Sequence, residues 1–445
     1  MLTRRVLSLG PPPTVRDRAI HVPHARSAHP GWLASARPDG LVFSAATAAL
    51  ALHVIVDSFI APEPGTAPGD HLLRGAASLA VLLIAAVVYA RLPGGGRAAL
   101  ALVFGALALE GAALAVADAR AVGPRGEDWT GFLLGPPGVL LVGSAITLLW
   151  RSRKPGRHRY LRRAAIVAAA TLAAYGLVVP VAIAILATHR PRADVAPAEL
   201  GRPYAELTIR TSDGLDLASW YVPSLNGAAV ISYPTRQDKL PQARLLVRQG
   251  YGVLLLDARG YDGSEGDPNL FGWAGARDID AAVAWLQGRP DVTDSRIGGI
   301  GFSVGGEMML QAAASNSGLR AVVSEGAGVR SVREDLLRGP RGWLALPESA
   351  MQTAAVAVMS GTGPPPSLTD LVPRISPRPL MLVYAGRGGG EELNADYYSA
   401  AKAPKGLWKI AEATHVGGFQ ARPRAYEERV TSFFDHALLG PRRQN

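Results

Sequence analysis

The sequence predicts an all-α membrane bundle followed by an α/β domain built on a mostly parallel, helix-covered sheet. Three observations predict it. Five apolar stretches crowd the first 187 residues, strand and helix signals alternate after residue 200, and charge divides unevenly between the two parts. Of the 445 residues, 48% are hydrophobic and 18% charged, against roughly 25% charged in soluble domains, which excludes disorder as the main state. Cysteine is absent, so disulfides, thiolate metal sites and cysteine nucleophiles are excluded. Before residue 188 there are 18 basic and 9 acidic residues; after it there are 28 and 27. The basic excess therefore belongs to the apolar part, and a nucleic-acid surface, which wants basic and aromatic residues together on a folded domain, is not indicated.

The apolar stretches are Leu41–Ala61, Leu73–Ala90, Ala98–Ala117, Gly131–Trp150 and Ala164–Ala187. Each approaches the roughly 20 residues a helix needs to cross the hydrocarbon core. The fourth contains Gly135-Pro136-Pro137-Gly138, which predicts a kink or a delayed start. A basic tail of 40 residues precedes the first, too long a lead for a cleaved signal peptide. That tail (Arg4, Arg5, Arg16, Arg18, Arg26, Arg37), the link with Arg91 and Arg97, and the link Arg151–Arg163 fall on one side if all five spans are real. The positive-inside rule then makes the amino terminus cytoplasmic and places everything after residue 188 outside. Glu110 and His53 lie within spans, which raises a transport role as one reading; hydrogen bonding inside the bundle is the plainer one.

A proline-broken linker, 188–202, leads into the second domain, 203–445. Ala205–Arg210 and Leu215–Tyr221 read as strands around the turn Ser212-Asp213-Gly214. Ala228–Ser232, Gly252–Leu256, Ile297–Phe302, Ala321–Ser324, Leu380–Tyr384 and Gly406–Ile410 read as short apolar strands. Between them, Leu240–Gln249, Arg277–Gln287 and Gly305–Ala314 read as helices, and Val430–Leu439 as a closing one. Such alternation means a sheet covered on both faces. An insertion at about 331–371 starts charged (Arg330, Arg333, Glu334, Asp335) and turns apolar at Met351–Met359. It reads equally as a lid over an active site or as a surface helix resting on the bundle.

Gly301-Phe302-Ser303-Val304-Gly305 joins a strand to a helix and fits G-x-S-x-G, the turn that exposes a nucleophilic serine. A serine needs a base, and only His189, His415 and His436 follow residue 187. His189 is in the linker and His436 in the closing helix, whereas His415 sits in a loop after a strand and after the elbow, in the order such sites use. The orienting acid is expected after Leu380–Tyr384, where Glu391 is preferred and Glu392 is the alternative. Glu325, just past another strand, is a third candidate.

Thr211-Ser-Asp-Gly-Leu, the run from Gly250 to Gly266, Arg296 to Gly306, Ser376-Pro-Arg-Pro-Leu and His415 together resemble the α/β-hydrolase family, in its dipeptidyl-peptidase and acyl-esterase-like branch. The resemblance covers about 203–439. It implies a triad of Ser303, His415 and Glu391, with no metal or organic cofactor, and an oxyanion hole from the N–H groups of Val304 and Thr235. Where the family usually has a His-Gly pair, this chain has Tyr233-Pro234-Thr235. The expected activity is cleavage of an ester, thioester or amide through an acyl-enzyme, on a small-molecule or lipid-like acyl substrate beside the bilayer. An inactive hydrolase-fold sensory module and a transporter with an accessory domain are the rival readings.

Overall fold

The computed structural model describes residues 37–62, 68–122, 128–151, 179–190, 192–387 and 390–440, and the single positions 165, 166, 169 and 176. The basic tail before residue 37, the basic link 152–163 and most of the fifth apolar stretch before residue 179 lie outside the described residues.

The first part is helical: α1 (Pro38–Ile55, extended to Ile60 by a wider turn), α2 (Leu72–Tyr89), α3 (Gly94–Val122), α4 (Asp128–Phe132), α5 (Gly135–Arg151) and α6 (Val179–Thr188). Three described helical segments are long and apolar enough to cross a membrane: Pro38–Ile60, Gly94–Val116 and Trp129–Arg151. The apolar run Gly75–Tyr89 and α6 are shorter, so the expected count of five is met by three among the described residues. The fourth stretch is interrupted between Phe132 and Gly135, the delayed start expected from Pro136 and Pro137. They stand in the first turn of α5, where an N–H has no intrahelical partner to lose. Alanines make the helix contacts, with Ala46, Ala98, Ala101 and Ala145 buried beside Phe43, which stacks on Tyr89 at 3.9 Å. Small residues let helices approach closely.

The second part is an eight-stranded sheet in the order β1-β2-β4-β3-β5-β6-β7-β8. Its strands are β1 (Ala205–Arg210), β2 (Asp216–Val222), β3 (Ala229–Tyr233), β4 (Gly252–Leu256), β5 (Ile297–Phe302), β6 (Ala321–Glu325), β7 (Leu380–Ala385) and β8 (Lys405–Ile410). Only the β1–β2 and β2–β4 pairs are antiparallel. Each expected strand lies within a residue or two of its observed bounds. Successive side chains on a strand face opposite ways, so Leu254 and Leu256 enter one core while Val253 and Leu255 enter the other. The first core is closed by α8 (Ala276–Gln287) and α9 (Val304–Ser315), the second by α7 (Leu240–Arg248) and the later helix Pro423–Phe434. This covering of both faces is why the strands are apolar runs and not alternating ones.

The insertion forms α10 (Val332–Leu337), α11 (Pro340–Ser360) and α12 (Leu368–Leu371). Glu334, fully buried, fastens its two ends: the carboxylate accepts from the Arg330 N–H at 2.9 Å, the Ser367 hydroxyl at 2.8 Å and the Leu368 N–H at 2.5 Å. From there α11 runs along α6 and touches α2.

A second buried carboxylate fixes the segment after β3. Asp257, at the end of β4, accepts from the Arg236 N–H and from its Nε, each at 2.7 Å. Burial pushes Asp257 up to about 6, against the pull of the Arg236 guanidinium. Asp257→Ala leaves that guanidinium buried without its partner. A loss of about 3–5 kcal/mol is expected for such a broken pair, and thermal unfolding of the purified variant checks it.

Candidate active site

At the end of β5 the chain reverses into α9, and Ser303 takes φ 54° and ψ −125° between them. A non-glycine residue at positive φ is strained, and strain of this kind concentrates at functional sites. The two motif glycines make the turn possible. A Cβ on Gly301 would come within 2.2 Å of the Gly305 carbonyl oxygen, and one on Gly305 within 2.6 Å of the Tyr233 carbonyl oxygen. The Ser303 N–H donates to the Glu325 carbonyl at 2.8 Å, which ties the turn to the neighbouring strand β6.

His415 reaches this serine from the loop after β8. Its Nε2 is 2.7 Å from Ser303 Oγ, and its Nδ1 is 2.5 Å from Glu391 Oε1. With the proton on Nδ1, the imidazole donates to Glu391 and accepts from the serine hydroxyl. Glu391 is buried, and its other oxygen accepts from the Ala385 N–H at 2.7 Å at the end of β7. The carboxylate is thus held by the strand that was expected to deliver it. The histidine side chain is 56% exposed. The hydrogen bond to Glu391 raises the His415 pKa, with burial opposing.

The other expected acids are elsewhere. Glu392 accepts from the Gly390 N–H at 2.7 Å. Glu325 is buried, its pKa raised by that burial, and accepts from the Gly418 N–H at 2.8 Å and the Tyr426 hydroxyl at 2.6 Å. It therefore braces the loop that carries His415 without touching the imidazole.

Val304 opens α9, and Thr235 lies buried two residues after Tyr233. Among the described residues neither backbone N–H has a hydrogen-bond partner, the condition a donor to an oxyanion must meet. The Asp257–Arg236 clamp holds the residue next to Thr235, and the Ala258 N–H donates to the Pro234 carbonyl at 2.8 Å.

Glu307 was not singled out in the sequence. It lies one turn along α9 from Ser303, buried, and burial pushes its carboxyl up to about 7 against the pull of Arg330. It accepts from the Gly328 N–H at 3.0 Å. Its i+4 spacing from the nucleophile was the available signal, but spacing alone does not separate it from a solvated helix residue.

Residues 187–371 match the family model of X-Pro dipeptidyl-peptidase, the S15 family. A protein of Mycobacterium tuberculosis, itself uncharacterized, is 36% identical over 107 residues, 22% of this chain and 37% of that protein. The alpha/beta hydrolase domain-containing protein WAV2 of Arabidopsis thaliana is 31% identical over 120 residues, 25% of this chain and 38% of it. The chain thus spans little more than a third of the length of these curated relatives. Among solved structures, an esterase of Pyrococcus furiosus, Pf2001, aligns with TM-score 0.45 at 23% identity, over 56% of this chain and 99% of that one.

Proposed function

We propose that the protein is a membrane-anchored serine hydrolase that cleaves a carboxylic ester, thioester or amide. One observation carries the reading: a serine at strained backbone geometry on a strand-to-helix turn, in line with a histidine and a buried carboxylate at hydrogen-bond distances. Ser303 Oγ attacks the acyl carbonyl while His415 takes its proton. The developing oxyanion is met by the N–H groups of Val304 and Thr235. Glu391 holds the imidazole tautomer and stabilises the imidazolium. His415 then returns the proton to the leaving group, and water releases the acyl group by the same steps in reverse order.

Anchoring is part of the proposal. Support comes from the three long apolar helices and from the large apolar side chains that their outer faces leave exposed, among them Leu41, Leu52, Leu140 and Ile146. A water-soluble monomer rarely exposes so extensive an apolar surface. The charge pattern supports a cytoplasmic amino terminus and a hydrolase domain outside.

The test is labelling of the full-length protein in nanodiscs by a fluorophosphonate probe. Covalent, saturable labelling is expected; a folded protein that resists it overturns the reading in favour of an inactive module. A panel of acyl esters beside Xaa-Pro peptide amides then sorts the bond cleaved.

The pH dependence has a fixed sign. The base must be neutral to accept the serine proton, and Glu391 raises the His415 pKa. The acidic limb of kcat/KM, which reports the free enzyme, is therefore expected above the ordinary histidine value of about 6.5. Initial rates across pH 5–9 measure it.

A further inference from the structure

A cavity of about 570 Å³ lies where α1, α2, α3 and α6 meet α11. The triad does not use it. We propose that it binds a single-chain anionic amphiphile, a hydrocarbon tail with a carboxylate or phosphate head. The inference rests on the reading that the apolar helices lie in a membrane.

The polarity of the lining is ordered along three helices at once. On α1 and its extension, Leu50 is followed by His53 and then Asp57; on α2, Leu82 lies beyond Ser78; on α6 and the residues after it, Val181 and Ile185 are followed by His189 and Arg190. The polar members stand at the helix ends nearest the sheet domain. Contacts mark that side: His71 is 3.4 Å from Asp267, and the Leu270 N–H donates to the Ala187 carbonyl at 2.8 Å. Away from it, Leu82, Phe104 and Leu107 make the lining apolar. A uniformly greasy void would fit any apolar molecule. A void whose polar groups gather at one end, among apolar ones, matches a tail and a head.

The volume and charge narrow the class. The size falls within the roughly 300–1,000 Å³ of small-molecule sites, and apolar cavities exclude water and take up apolar ligands. At the polar end Arg190 and Arg192 line the cavity together with Asp57 and His189. The Arg192 guanidinium is anchored on the Ser264 and Gly266 carbonyls, and that of Arg190 lies 4.3 Å from the Tyr261 ring centroid. Two guanidiniums are thereby fixed at this end of the lining, where an anionic head would meet them.

The cavity is also close to the elbow. Met351, Ala355 and Met359 of α11 form one wall. Their neighbour Val356 packs with Ala184 and Trp273, and adjoining Trp273 is Gly272, where a Cβ would come within 2.7 Å of the Val304 side chain. Helix α11 and the segment Phe271–Trp273 thus lie between the cavity and the residue that follows the nucleophile.

The experiment uses full-length Ser303→Ala protein in nanodiscs, so that binding is read without turnover. Photoactivatable diazirine palmitate and diazirine lysophosphatidylglycerol are cross-linked in separate arms and the adducts mapped by mass spectrometry. Saturable adducts on α11 between Met351 and Met359 and on α6 are expected in at least one arm, and the arm identifies the source of the chain. Leu107→Trp and Ala355→Trp, which fill the cavity from opposite walls, are each expected to cut this labelling at least tenfold. Arg190→Glu should weaken palmitate at least tenfold while sparing hexadecanol. Adducts spread along the outward-facing Leu83 and Ile84 without saturation, or labelling indifferent to both tryptophans, would overturn the proposal. Fluorophosphonate reactivity of the unmutated protein is scored separately, so the loss of either reading leaves the other standing.

Discussion

Ser303→Ala is expected to abolish fluorophosphonate labelling and to lower acyl-substrate turnover by about 10⁶-fold, the scale seen when a serine nucleophile is removed from a working triad. The size follows from what the hydroxyl does here. It is the group held 2.7 Å from His415 Nε2, at the end of a strand whose turn presents it to solvent. An alanine methyl fits the same strained turn, so the fold should persist and the loss should be chemical. His415→Ala is expected to cost nearly as much, because a neutral serine is a weak nucleophile without a base. The double variant should be no slower than either single one, since the two residues act as a unit. Additive losses would mean that the serine and the histidine serve separate steps. Labelling that survives Ser303→Ala would place the reactive serine elsewhere and sink the triad. Turnover kinetics and gel fluorescence on the three purified variants decide between these outcomes.

The sheet was legible because its strands are short apolar runs bounded by glycine and acidic residues, a pattern that burial on both faces imposes. The elbow was legible for a local reason: Gly301 and Gly305 must both lack side chains for the turn to close. Long-range pairings were not legible in the same way. Glu325 ends β6 and Glu391 lies in the loop after β7, and periodicity ranks neither. The structure separates them by which donors surround each carboxylate, Tyr426 and Gly418 for one, His415 and Ala385 for the other. The Asp257–Arg236 clamp and the Glu334 staple were hidden for the same reason, since a charge in a sequence reads as solvated until its partner is located. The insertion was the hardest case. Its apolar face fitted a lid and a bundle-packed helix equally, and only the run of α11 along α6 shows what that face meets.

Glu391→Gln is expected to lower kcat by about 10⁴-fold, the cost of losing the carboxylate that sets the histidine tautomer, and to move the pH profile in a stated direction. The carboxylate oxygen accepts from Nδ1, so the proton is kept there and Nε2 stays free to take the serine proton. Glutamine can present its NH₂ to the same nitrogen, which favours the opposite tautomer and leaves Nε2 protonated against the hydroxyl. The fall in rate is then a fall in the fraction of correctly poised imidazole. The same substitution removes the largest influence raising the His415 pKa, so the acidic limb should shift to lower pH even as the plateau drops. A merely structural role for Glu391 would depress the plateau without moving the limb. Glu392→Gln serves as the comparison, because its carboxylate is turned toward the Gly390 N–H, and both plateau and limb should stay near their original values. If Glu392→Gln reproduces the shift and Glu391→Gln does not, the acid belongs one residue further along. If neither moves the limb, neither carboxylate sets the histidine's titration.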